Sequence, residues 1–261
     1  MKRRRASETA VVDVGSVVCR LRSRWRKPYL WAHELHPHFV TDRRAELAVQ
    51  FVYDEGYYRR PLPWVATDTV RDVPVVRTRG REIIVESSFY RARVRHGRAR
   101  VTIAAGFRVD AVLRALCALR LERRRGLLVD GARLAAGDEG ALLIGAHDHL
   151  ISDADAFSGF VAAVRADEGY RLHVTPFGAP DSARPDRGVR ARAVYLLREE
   201  ASATPTRIAT ARALALAGPH LVIVDAKARA LESAARLFAA LPCFVTSRVP
   251  ALAEWEGRDA A

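Results

Sequence analysis

The densest group of side chains that could bind a metal ion lies in a short polar stretch near the middle of the chain. It contains two imidazoles and two carboxylates, at His147, His149, Asp153 and Asp155. Imidazole nitrogens and carboxylate oxygens suit Zn²⁺, Mn²⁺ or Fe²⁺, and residues two apart on an extended chain face the same side. Such a site would support hydrolytic chemistry. The alternative is a solvated polar loop whose carboxylates only support turns.

A second histidine group, His33, His36 and His38, lies close to Glu34 and Asp42. His36 and His38 flank a proline, which favours an extended loop. This spacing is compatible with metal ligation but also with histidines that pack or face solvent, and we expect the latter.

Aromatic and cationic residues are interleaved between positions 20 and 31. The aromatic residues are Trp25, Tyr29 and Trp31, and the cations are Arg20, Arg22, Arg24, Arg26 and Lys27. Bases of a single strand can stack on aromatic rings beside cations. The same pattern also describes an edge strand with arginine stems lying over rings, and we expect this structural role.

The three cysteines, Cys19, Cys117 and Cys243, are far apart and none belongs to a CxxC pair. Each has apolar neighbours, where a free cysteine behaves as a small hydrophobic residue. We expect reduced structural thiols.

The chain has 261 residues and a formal net charge of +13, which is enough to attract nucleic acid. The cations are almost all arginine, since lysine occurs only at positions 2, 27 and 227, and this bias is typical of a GC-rich coding sequence. The charges are spread along the chain without a recognisable reading element, so nucleic-acid binding is the weaker interpretation. No apolar run is long enough to span a bilayer or to form a signal peptide, so we expect a cytoplasmic protein without membrane association.

The hydrophobic pattern changes near residue 106. Before it, residues 1–106 form a β-rich region, with strands at 48–53 and 82–86 and an antiparallel hairpin around His96-Gly97. After it, residues 107–261 alternate between helix and strand, which is typical of an α/β fold. Helices are predicted at 108–121, 205–217 and 226–240, and strands at 127–129, 141–145, 170–174, 193–197, 221–224 and 243–246.

The second region resembles the HPr kinase-related family, whose catalytic domain has the phosphoenolpyruvate carboxykinase-like fold. The resemblance covers about 107–255 and rests on segments in the family's order. These are Phe107-Arg108-Val109-Asp110-Ala111-Val112-Leu113-Arg114-Ala115-Leu116, Gly126-Leu127-Leu128-Val129-Asp130-Gly131, Gly140-Ala141-Leu142-Leu143-Ile144-Gly145, Ile151-Ser152-Asp153, and Tyr170-Arg171-Leu172-His173-Val174-Thr175-Pro176-Phe177-Gly178 with Val194-Tyr195-Leu196-Leu197. It implies a mixed central sheet with flanking helices, preceded by the β-rich region.

The chain departs from the family where phosphate would bind. Family members carry a loop of the type GxxxxGK[ST] followed by a helix, whose backbone amides and lysine hold phosphates. Here five residues separate Gly145 from Ile151, and no lysine lies between Lys27 and Lys227. The resemblance therefore implies only a relic phosphate site at Gly145 and Ser152, with Asp153 as the remaining metal ligand or base.

From these features we expect a catalytically degenerate HPr kinase-like protein that binds, scaffolds or regulates, and that needs no cofactor. Family members often accompany peptide-modification gene clusters, so the resemblance implies a peptide or protein partner. One alternative is a divergent ATP- and Mg²⁺-dependent serine kinase with a rebuilt phosphate site, in which Arg165 or Arg171 replaces the lysine. A second alternative is a basic nucleic-acid-binding protein.

Overall fold

The computed structural model describes residues 7–54, 74–87, 89–103, 109–145, 156–177, 186–224 and 228–250. Within them the chain is a mixed α/β protein with two seven-stranded sheets, which confirms the predicted class. It divides into two compact units, Met1–Leu119 with Val224–Ala226, and Arg120–Ile223 with Lys227–Ala261. The predicted division into residues 1–106 and 107–261 was based on pattern rather than compactness and stays a prediction.

The first sheet has the strand order β1-β2-β3-β7-β6-β5-β4. Its strands are β1 (Glu8–Val14), β2 (Val17–Ser23), β3 (Leu47–Tyr53), β4 (Val75–Arg79), β5 (Glu82–Glu86), β6 (Tyr90–Arg95) and β7 (Arg98–Ile103). β3 is parallel to both of its neighbours, β2 and β7, and the other pairs are antiparallel.

The central strands of this sheet alternate between buried residues and residues that face solvent over most of their length. Along β6 and β7 the apolar side chains are buried and the arginines face solvent. This follows from the period of two in a strand, which places successive side chains on opposite faces. The predicted hairpin around His96-Gly97 is confirmed. Both turn residues have positive φ (47° and 73°), as a two-residue loop of this type requires.

The helix predicted at 108–121 is confirmed as α2 (Val109–Arg123). Its Cys117 Sγ lies 3.8 Å from the Sγ of Cys19 on β2, so the helix packs against the inner face of the first sheet. Two short helical turns precede it in the chain: α1 (Lys27–Leu30), continued by a π-helical turn at Trp31–Leu35, and a 3-10 turn at Pro37–Phe39.

The second sheet has the order β11-β10-β8-β9-β12-β14-β13. Its strands are β8 (Leu127–Ala136), β9 (Glu139–Ile144), β10 (Ala156–Ala166), β11 (Gly169–Val174), β12 (Val189–Leu197), β13 (Thr206–Ile208) and β14 (Cys243–Thr246), and the helices of this unit are α3 (Thr210–Ala217) and α4 (Ala228–Ala240). β9, β12 and β14 are parallel to one another. Arg171 and Leu172 of β11 also pair with β12, which closes β8, β9, β12, β11 and β10 into a ring.

Three predictions about elements were wrong. Thr204-Pro205 does not start a helix, because residues 206–208 pair with β14 and α3 begins only at Thr210. Residues 221–224 are not a strand, since only Leu221 forms a bridge, with Val129. The segment around Trp25 is not an edge strand, because β2 pairs on both sides and the chain then bends into α1.

No helix within the described residues combines the length and the apolar character that crossing a bilayer requires.

Candidate functional site

Six arginines of the first sheet share its solvent-facing side and line a groove of about 780 Å³. We call this surface the arginine face. Its arginines are Arg20 and Arg22 of β2, Arg93 and Arg95 of β6, and Arg98 and Arg100 of β7. Each lies next to buried residues of the same strand, so core packing fixes which way the backbone presents the guanidinium groups.

Strand pairing arranges these side chains in two rows. In one row, Arg20 pairs with Ala48, Ala48 pairs with Arg98, and Arg98 pairs with Arg95. The second row has the same pattern, with Arg22, Gln50, Arg100 and Arg93 in register.

The residues of β3 that lie between the arginine-bearing strands have shorter side chains than the arginines and form the bottom of the groove. Ala48 and Gln50 stand between the longer side chains of β2 and those of β7. Since neighbouring strands lie about 4.8 Å apart, the two arginine walls are separated by roughly 10 Å. The groove is therefore wide enough for one extended chain.

Among the described residues that line the groove, only Glu82 has a carboxylate. Glu82 forms a two-bond ion pair with Arg93, with Nε to Oε1 at 3.0 Å and Nη2 to Oε2 at 2.9 Å. This hydrogen bonding lowers the pKa of Glu82, so the carboxylate stays ionised and pairs with one arginine. Six cations against one anion leave five positive charges in excess, although solvent and salt screen them because the side chains are exposed.

A pair of stacked aromatic rings lies at one end of β2 and β3. The rings of Trp25 and Tyr53 stack at 5.6 Å, and the Lys27 Nζ lies 5.4 Å from the Trp25 ring. Trp25 follows the end of β2, and Tyr53 ends β3, which is parallel to β2. The alternation along β3 places Tyr53 with Phe51, on the side opposite to Gln50 and the arginine face, so the pair does not extend the groove.

The other predicted aromatic residues have structural contacts. Trp31 is buried and packs on His36 at 4.7 Å, and Tyr29 packs on His33 at 4.2 Å. The packing role expected for the histidines is thus confirmed for His33 and His36. His38 is exposed.

Of the residues predicted for the metal and relic phosphate sites, the structure describes Gly145. This glycine ends β9 with φ of 79°, and a Cβ at its position would come within 2.9 Å of the Leu197 carbonyl oxygen. A local backbone requirement therefore accounts for the glycine without a phosphate. His147, His149, Ser152, Asp153 and Asp155 lie outside the described residues.

Within the parts of the chain that are described, no group of three His, Cys, Asp or Glu side chains is placed to hold a metal ion. All three cysteines are buried and form no disulfide, as predicted. Burial raises the pKa of Cys117, and that of Cys243 to about 11, so neither thiol ionises readily near neutral pH.

Reasoning from the sequence missed the arginine face, although part of the signal was visible. Arginines recur at every second position in 20–22, 91–95 and 98–100, and this period matches a strand with one solvent-facing side. The missing information was that β3 joins β2 to β7, which brings separate arginine-bearing strands onto one surface.

Comparison of the sequence with models of known protein families gives no match, and comparison with curated proteins gives none either.

Proposed function

We propose that the protein binds a single nucleic-acid strand along the arginine face, through its phosphates and without reading base sequence. The observation that carries this proposal is the placement of six arginines on one sheet face with one carboxylate among them. A guanidinium group can hold a phosphate through two parallel hydrogen bonds, which a lysine ammonium cannot do.

The geometry of the groove favours an extended ligand. Arg98 and Arg100 are two residues apart on one strand, so their backbone positions are roughly 6.8 Å apart. This separation is comparable to that of successive phosphates along an extended strand.

A salt titration tests the proposal. Fluorescence anisotropy of a labelled 20-nucleotide oligothymidine should give a logarithm of affinity that falls linearly with the logarithm of salt concentration. With four to six phosphate contacts, the slope should be about −3 to −4. A flat salt response would exclude phosphate binding as the main interaction.

An acidic peptide is the competing ligand for the same charges. Polyglutamate of equal length serves as the matched probe, because it has similar charge but neither phosphates nor bases. Tighter binding of polyglutamate than of the oligonucleotide would overturn the nucleic-acid assignment and favour an acidic protein partner.

A second candidate function comes from the second unit, for which we propose an HPr kinase-like core of the phosphoenolpyruvate carboxykinase-like type that has lost its phosphate loop. The parallel arrangement of β9, β12 and β14 supports this, since β9 ends at Gly145, where the resemblance places the entry to that loop. The unit would then serve as a scaffold or regulator for a peptide or protein partner and need no cofactor.

Calorimetric titration with ATP and Mg²⁺ distinguishes this degenerate domain from a kinase with a rebuilt site. We expect no heat of binding at micromolar nucleotide. Micromolar affinity together with transfer of labelled phosphate to a peptide would instead establish the kinase alternative, with Asp153 as its first candidate for substitution.

A further inference from the structure

The second unit contains a small cationic pocket that the proposed functions do not use. Its volume is about 230 Å³, and it lies between the end of α2 and one side of α4. It is lined by Glu122, Arg123, Arg125, Arg229, Glu232, Ser233 and Arg236.

The charges of the pocket do not cancel. Glu232 forms an ion pair with Arg236 one helical turn away, and Glu122 is buried. Four arginines against two glutamates leave two positive charges in excess. This excess equals the charge of a phosphate dianion, and the volume suits a ligand of that size.

The backbone of Arg125 adopts a conformation that is unfavourable for any residue other than glycine. Arg125 has φ of 58°, in the left-handed region where a helix end normally carries glycine. A glycine is present one residue later, but Gly126 is needed elsewhere, because a Cβ there would come within 2.9 Å of the Ala163 carbonyl oxygen. The arginine therefore occupies the strained position, and its side chain lines the pocket.

We infer that this pocket binds a phosphate dianion, held by Arg125, Arg229, Arg236 and their neighbours. The phosphate can belong to a free ion or to a small phosphomonoester, since the recognition chemistry is the same. This site lies wholly within the second unit and is independent of the arginine face.

Isothermal titration calorimetry with inorganic phosphate at low salt tests this inference on the full-length protein. We expect saturable binding at one site. Parallel titrations with glycerol phosphate and with phosphoserine distinguish a free ion, a small phosphomonoester and a phosphorylated side chain by their relative affinities. Absence of saturation by any of the three would overturn the inference.

Two variants separate binding from folding. Arg125→Gly removes one cation and relieves the left-handed strain, so thermal stability should stay the same or rise while phosphate affinity falls roughly tenfold. Arg229→Gln removes a second lining cation at an exposed position of α4, and we expect about threefold weaker phosphate binding without loss of stability.

Arg212→Ala on α3 is the matched control, because it removes an exposed cation of the same unit away from the pocket. Its phosphate affinity should remain within about twofold of the original, as expected for a screened distant charge. Equal weakening by Arg212→Ala and Arg125→Gly would mean diffuse attraction and no site. If Arg125→Gly unfolds, Arg229→Gln decides, and unchanged phosphate affinity in that variant would overturn the inference.

Discussion

The arginine face of the first unit and the arginines of the second sheet lie in different electrostatic surroundings. On the arginine face, one of the six arginines is paired with a carboxylate among the described residues. In the second unit, five arginines of the sheet and its loops have carboxylate partners. These pairs are Arg133–Asp186, Arg171–Asp138, Arg190–Glu168, Arg192–Glu139 and Arg198–Glu200.

The difference shows where the positive charge is available for a ligand. A coding bias toward arginine would raise the count everywhere, but it does not explain why six arginines share one sheet face with a single described carboxylate, while Arg26, Arg43 and Arg91 of the same unit have carboxylate partners. Paired arginines stabilise the fold that holds them, whereas clustered unpaired ones repel each other until an anion binds. On the proposed function, the net charge of +13 would serve both the fold and ligand binding.

The largest expected effect is on oligothymidine affinity. It comes from removing two arginines of the arginine face, compared with removing two arginines of the second unit. The double variant Arg98→Gln/Arg100→Gln should weaken oligothymidine binding about 100-fold, since each charge-assisted phosphate contact contributes roughly tenfold. Its salt slope should become shallower by about 1.4, as two contacts are lost.

The matched control for that variant is Arg190→Gln/Arg198→Gln, which removes two arginines that already have carboxylate partners. Its oligothymidine affinity should change by no more than about threefold, as expected for arginines whose charge is already balanced by a carboxylate and screened by salt. If both double variants weaken binding equally, net charge alone drives association and the arginine face is not a site.

A smaller effect is expected where an arginine of the second unit is buried. The Arg133 side chain is 11% exposed, and its Nη1 lies 2.5 Å from Asp186 Oδ2. Asp186→Asn would leave this guanidinium without its counter-charge and should lower the free energy of unfolding by about 2 kcal/mol, reduced from the fully buried case because Asp186 is partly exposed.

Equilibrium denaturation by urea measures this change. Glu200→Gln, which breaks the exposed pair with Arg198, is the control and should cost less than about 0.5 kcal/mol. Equal midpoints for Asp186→Asn and the original protein would show that pairing in the second unit is incidental.

The smallest expected effect is on the stability of the folded protein as pH falls. Hydrogen bonds from Arg171 and Arg192 lower the pKa values of Asp138 and Glu139 below the ordinary values of 3.8 and 4.5. A carboxyl group with a lowered pKa in the folded state adds stability above its unfolded pKa, and this stability is lost as pH falls through the folded value.

Asp138→Asn/Glu139→Gln should therefore be slightly less stable than the original protein at pH 7 and should lose less stability between pH 5 and pH 3. Thermal unfolding at constant ionic strength measures both. Arg98→Gln/Arg100→Gln should give a curve parallel to the original, because arginine does not titrate in this range. Parallel curves for all three proteins would contradict the pairing.

Local signals in the sequence predicted much of the fold. The hairpin around His96-Gly97 depends on a two-residue turn, and α2 depends on an apolar stripe within 15 residues, so both can be recognised from neighbouring positions. Thr204-Pro205 is a strong local helix signal, but pairing of residues 206–208 with β14 overrode it. Such pairing depends on residues about 40 positions away.

Both candidate sites escaped prediction for the same reason. The run Glu122-Arg123-Arg124-Arg125 lies at the end of the helix predicted at 108–121, which is confirmed, but Arg229 and Arg236 reach it only through the tertiary fold. The arginine face likewise needs β2 beside β3 and β3 beside β7, and no local pattern specifies these parallel pairings.

The additional pairing of β11 with β12 affects how the protein behaves at high concentration. An unpaired strand at the end of a sheet is a template on which other chains can aggregate. Within the described residues, β11 has partners on both sides, and the second sheet ends at β13, which has three residues and is too short to recruit another chain. Where β4 ends the first sheet, Arg77 and Arg79 are exposed along it, and their charge disfavours stacking of a second copy.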